Sequence, residues 1–63
     1  MNISENVKRL RTQAELSQEQ LAGKLGVAAS LIAQIERGTK TLSLPLANDM
    51  ARVLGCDVSD LCA

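Results

Sequence analysis

Apolar residues recur along this chain at intervals of three and four, the period at which one face of an α-helix returns to the same side. The first run is Ile3, Val7, Leu10 and Ala14, which predicts a helix from Ile3 to about Ala14 with Lys8, Arg9 and Thr12 turned to water. Asn2 or Ser4 is placed to cap it. A second helix opens at Ser17-Gln18-Glu19-Gln20, where Ser17 can accept from a first-turn amide while Gln20 reaches back to the cap. Leu21, Ala22 and Leu25 form its inward stripe, and Gly26 stops it, since glycine enters the left-handed region without steric cost. Val27, Leu31, Ile32 and Ile35 then mark a third helix, roughly Ala28 to Arg37, ended by Gly38.

Thr39 to Ser43 reads as a polar loop. Pro45 suits the first turn of a fourth helix, about Leu44 to Leu54, because its missing N–H is no loss there. Leu46, Met50, Val53 and Leu54 are its expected core face, with Gly55 as the stop. Asp57 followed by Asp60 signals a cap for a short last helix, about Val58 to Cys62. The fold expected is all-α, a compact bundle of four to five short helices. A chain this short cannot be split into pieces with cores of their own, so residues 1–63 are expected to form one domain.

Composition narrows the picture. With 46% hydrophobic residues and no Phe, Tyr or Trp, the core must be tight and aliphatic. A core of this size nets only about 3–5 kcal/mol without staples, so oligomerisation is the expected support. Cys56 and Cys62 come with no His, so the usual zinc-ligand spacings are absent; they are expected to be buried, reduced thiols in a cytoplasmic protein. No signal-peptide pattern opens the chain, and the longest apolar run falls far short of the ~20 residues a bilayer requires, so no membrane partner is expected. With no His to act as a base near neutrality and no nucleophile beside a base, neither enzymatic activity, a cofactor, a metal nor a small-molecule substrate is expected.

The formal net charge is zero, which argues against a polyanionic partner. Its distribution weakens that argument: residues 1–40 carry six basic against four acidic side chains, and residues 41–63 carry one against three. Two short helices joined by a tight glycine turn can place one across a nucleic-acid backbone and the other in a groove. On spacing alone the pair is weak evidence, since in many all-α domains such a pair only closes a core.

The residues themselves say more. Ser17-Gln18-x-x-Leu21-Ala22-x-x-Leu25-Gly26-Val27, followed by Ser30-x-Ile32-x-x-Ile35-Glu36-Arg37-Gly38, resembles the helix-turn-helix of the phage CI repressor and Cro family and its XRE-type bacterial relatives. Arg11, the Leu54-Gly55 helix end and the stretch from Asp57 to Leu61 also fall where that family has counterparts. The resemblance implies a lambda-repressor-like domain that binds double-stranded DNA as a transcriptional regulator, as a homodimer on a two-fold symmetric site.

Carried over residue by residue, the resemblance implies that Gln18 approaches a phosphate and braces the recognition helix, with Ser17 chiefly a cap. It makes about 28–37 the recognition helix, with Ala28, Ala29, Ser30, Ala33 and Gln34 facing base edges in the major groove. Arg11 and Glu36 match a structural pair, while Arg37, Thr39, Lys40 and Thr41 match a loop along the phosphate backbone, for which a solvated loop is the bland alternative. Three of the five reading positions are alanine, which offers only contact with a thymine methyl, so modest discrimination or reliance on DNA shape is expected. Neutral charge and an alanine-rich face also fit a second reading, a protein-interaction module of the same fold with an antitoxin-like or anti-repressor partner. Self-contact is expected at the end of the fourth and fifth helices, among Leu42, Leu44, Val58 and Leu61, of which Val58 and Leu61 are better read as core.

Overall fold

The computed structural model describes residues 2–62. Five helices follow one another: α1 (Ile3–Gln13), α2 (Gln18–Leu25), α3 (Ala29–Arg37), α4 (Leu44–Leu54) and α5 (Val58–Cys62). No strand occurs among the described residues. Four of these starts have a local side-chain cause. Asn2, rather than Ser4, caps α1, its Oδ1 accepting from the Ser4 amide at 2.9 Å. The reciprocal box opens α2: Ser17 Oγ accepts from the Gln20 amide at 3.0 Å and Gln20 Oε1 from the Ser17 amide at 2.9 Å. Ser43 caps α4 ahead of Pro45, and Asp60 Oδ2 accepts from the Asp57 amide at 3.0 Å before α5.

The α2–α3 turn depends on Gly26. With φ at +71° it reverses the chain so that the Val27 amide reaches back to Ala22 O at 3.0 Å, closing α2, and the N-cap of α3 follows at Ala28. An L side chain is strained in that region.

The core takes a residue from every helix. Val7 of α1, Leu21 of α2, Ile32 and Ile35 of α3, Met50 of α4 and Leu61 of α5 are the largest fully buried side chains. α3 packs against α2 and α1, α4 against α2 and α5, and α5 also against α1, so the third helix is gripped from two sides. Buried Ala22, Ala47 and Ala51 bring helices close where a larger residue would hold them apart.

Several expectations need correction. Ala14 is the exposed C-cap of α1 and Ile3 is 39% exposed, because α1 meets its neighbours through its middle turns. Asn6, unmarked by the apolar period, is buried: its Nδ2 donates to Leu61 O at 3.0 Å and its Oδ1 accepts from Arg9 Nη2 at 3.1 Å, pinning α1 to α5. On α4 the fully inward face is Ala47, Met50 and Ala51, with Leu46, Val53 and Leu54 at its margin. Cys62 is exposed rather than buried; Cys56 is half-buried, and burial followed by the charges of Asp60 and Asp57 pushes its thiol pKa up. Leu61 belongs wholly to the core, leaving Leu44, at 67% exposure, as the outstanding apolar side chain on the surface.

Candidate nucleic-acid interface

The amphipathicity of α3 decides what the chain can present. Ile32 and Ile35 point inward and are buried, so the residues between them must turn out. Ala28, Ser30 and Gln34 are exposed, and Ala29 and Ala33 are half-covered on the side toward α2. The outward surface is shallow and nearly uncharged until Arg37, which is exposed at the last turn.

Beneath that surface lies a polar lock. Arg11 Nε donates to Glu36 Oε2 at 2.6 Å and Nη2 to Oε1 at 3.1 Å, the two-pronged geometry that suits guanidinium to carboxylate. Its remaining Nη1 donates to Leu16 O at 2.7 Å, so one side chain ties α1, the α1–α2 turn and α3 together. The Arg11 and Glu36 side chains are only 11% and 4% exposed. Burial pushes the Glu36 carboxyl up, but hydrogen bonds from Arg11 and Gln18, with the charges of Arg11 and Lys8, outweigh it and hold the group below its ordinary pKa.

Gln18 joins this lock. Its Nε2 donates to Glu36 Oε1 at 3.1 Å, bracing α3 from the first turn of α2. An amide nitrogen carries two N–H groups, so one remains for a group outside the protein. Beside it, the Gln18 and Glu19 amides in the first turn of α2 lack intrahelical acceptors, the Gln20 amide being held by Ser17 Oγ, and with the helix dipole they favour an anion. An open cleft runs between this helix start and α3, with Ser17 and Gln18 on one wall and Ala29, Ser30 and Ala33 on the other. Thr39 and Lys40 lie on the exposed loop beyond Gly38, whose φ of +81° turns the chain away from the α3 axis.

The start of α3 departs from the pattern of the other helices. Ala28 stands at its N-cap with an extended backbone and no side-chain hydrogen bond, where Ser, Thr, Asp or Asn would satisfy a first-turn amide. Ala28→Ser is therefore expected to raise stability by about 1 kcal/mol. A thermal midpoint higher by several degrees checks it; an unchanged midpoint means that the bond the Leu31 amide already donates to Ala28 O, at 3.0 Å, suffices at that end.

Lys8 is the residue the sequence pattern passed over. Read as a solvated position, it stands on α1 one turn before Arg11 and shares a second cleft with Gln18, Glu36 and Arg37. The only sequence signal was its spacing of three from Arg11, which puts both on one side of α1. No group of three or more His, Cys, Asp or Glu able to hold a metal occurs among the described residues, and no described helix is long and apolar enough to cross a membrane.

A glycine-turned helix pair, with the second helix locked from behind and its face left open, defines the helix-turn-helix class. The helix-turn-helix family profile matches residues 7–61, and the chain belongs to that family, in its XRE and Cro/CI branch. It is 37% identical over 59 residues to an uncharacterised HTH-type transcriptional regulator of Methanocaldococcus jannaschii, covering 94% of this chain and 89% of the relative. It is 34% identical over 55 residues to another such regulator of Archaeoglobus fulgidus, covering 87% and 78%. Among solved structures it is similar to the restriction-modification controller protein C.AhdI from Aeromonas hydrophila, with a TM-score of 0.88, 32% identity and coverage of 94% and 89%. It is also similar to SinR, a master regulator for biofilm formation solved in complex with DNA, with a TM-score of 0.90, 31% identity and coverage of 97% and 98%.

Proposed function

We propose that this chain is a DNA-binding transcriptional regulator, repressor-like in action, that places α3 in the major groove of a duplex. The observation that carries the reading is the lock of Arg11, Gln18 and Glu36 behind α3, which fixes a helix that leaves Ala28, Ser30 and Gln34 exposed. Ser30 and Gln34 read base edges by hydrogen bonding, and Ala28, Ala29 and Ala33 meet them by contact alone. Ser17 and Gln18 set the first turn of α2 on a phosphate, and Arg37, Thr39 and Lys40 follow the backbone beyond the groove.

One such module binds weakly. Two copies acting on a two-fold symmetric operator, with recognition helices about 34 Å apart, supply the missing affinity. Exposed Leu44, with the half-buried Leu42 preceding it, supports a self-contact at the start of α4. The whole chain acts as one unit in this reading, in the cytoplasm, with no catalytic step.

Selection of binding sites from random duplexes at two salt concentrations tests the proposal. A symmetric consensus with affinity falling steeply in salt supports it, whereas a chain indifferent to duplex DNA at low salt overturns it. Gln34→Ala is expected to cost about 1–3 kcal/mol at one consensus position and to relax preference there; equal weakening on all sequences means Gln34 reads no base. The alanine-rich outer face favours a second reading, an apolar surface for a protein partner, whose binding would barely respond to salt.

A further inference from the structure

Two exposed cations of this chain line one cleft, where Lys8 adds its charge to the field that holds Glu36 ionised. Lys8 stands on α1 and Arg37 at the end of α3, and they line the cleft together with Ala33, Gln18 and the Arg11–Glu36 pair. Among the described residues neither charged group has an ion pair or a side-chain hydrogen bond. The only carboxylate on that cleft, Glu36, is already engaged by Arg11 and Gln18. Glu36 balances the charge of Arg11, so Lys8 and Arg37 leave the cleft net positive, and an anion between them offsets their mutual repulsion.

The cleft is continuous with the proposed interface: Arg11, Gln18 and Ala33 border both this cleft and the one between α2 and α3. We propose that Lys8 and Arg37 clamp a single backbone phosphate of the duplex over Ala33, with the spare N–H of Gln18 at its edge, extending the footprint from the α2–α3 pair onto α1. The inference rests on the DNA-binding reading above. It assigns Lys8 a contact that no recognition-helix pattern requires.

The test measures affinity of the full chain for a random-sequence duplex of about 30 base pairs between about 50 and about 200 mM salt. Lys8→Gln and Arg37→Gln are each expected to weaken binding about ten-fold at the lowest salt. Combined, they should reduce the slope of log affinity against log salt by about 0.9 per bound protomer, the loss of one phosphate and not two. Lys24→Gln is the control, since Lys24 stands beside Asp49 and Arg52 near α4 and should leave the slope unchanged. All three sites are exposed, so thermal midpoints confirm that the variants stay folded.

Unchanged affinity and slope in Lys8→Gln overturn the contact on α1. A slope loss near two in the double variant overturns the shared phosphate in favour of two separate ones. If the unaltered chain fails to hold the duplex at the lowest salt, the DNA-binding reading falls and this inference with it; a null confined to the variants removes this inference alone.

Discussion

Arg11→Ala is expected to leave most of the chain unfolded at 37 °C. Removing one partner of a buried, hydrogen-bonded pair costs about 3–5 kcal/mol, because the survivor is left as an uncompensated charge. Here the survivor is Glu36, whose side chain is 4% exposed and would keep only the Gln18 amide as a close partner. A domain with a small aliphatic core has about 3–5 kcal/mol in total, so the two quantities meet. Replacing both members, Arg11→Met with Glu36→Leu, should restore much of the loss, since apolar residues of similar volume carry no desolvation penalty. Urea denaturation followed by circular dichroism checks both outcomes; a double variant no better than Arg11→Ala would mean that the charges, and not their burial, hold α3.

The same pair fixes the acid response. Because the Glu36 carboxyl is held below its ordinary value when folded, its contribution is fully present above the unfolded pKa of about 4.3 and is lost as pH falls further through the folded value. The Arg11 pKa is raised, chiefly by its hydrogen bond to Glu36, so that guanidinium keeps its charge throughout the alkaline range in which proteins are handled. Stability of the native chain should therefore drop below about pH 4. In Arg11→Ala that drop should flatten, because the carboxylate has lost its strongest partner.

The helices were legible in the sequence because their signals are local. Ser17 and Gln20 lie three residues apart, and Gly26, Gly38 and Gly55 stand where a left-handed residue is required, so no long-range contact decides those boundaries. What escaped is what depends on packing between helices. Asn6 is polar, yet its amide meets the Leu61 carbonyl 55 residues away, a partner no window of sequence contains. Ala47 and Ala51 lie on the buried face of α4, where the apolar period favours larger side chains, although small residues are what a close helix approach selects. Ile3 satisfied the period but lies beyond the reach of neighbouring helices, so hydrophobic spacing overstated its burial.

The candidate site divides in the same way. Arg11 and Glu36 are 25 residues apart and became a pair only through resemblance to a family, while the geometry adds Gln18 to the same carboxylate from a third segment. Lys8 illustrates the converse. Exposure alone marks a lysine as solvated, and only its place beside Arg37 across a cleft distinguishes it from Lys24.

Ile32→Ala, set beside Gln34→Ala, separates the two faces of α3. Ile32 is fully buried, and truncating it leaves a cavity that costs about 2–5 kcal/mol, depending on how far the neighbours collapse. Gln34 is exposed, with its side chain directed away from the core, so its truncation should shift stability by no more than about 0.5 kcal/mol. If α3 carries recognition on one side and anchorage on the other, Ile32→Ala lowers the folded fraction while the molecules that remain folded keep the same ranking of DNA sequences. Gln34→Ala does the reverse, altering the ranking at an unchanged denaturation midpoint. A change of sequence preference in Ile32→Ala, measured with folded fraction accounted for, would mean that the inner packing sets the angle of the reading face, and that the lock of Arg11, Gln18 and Glu36 is insufficient to hold it.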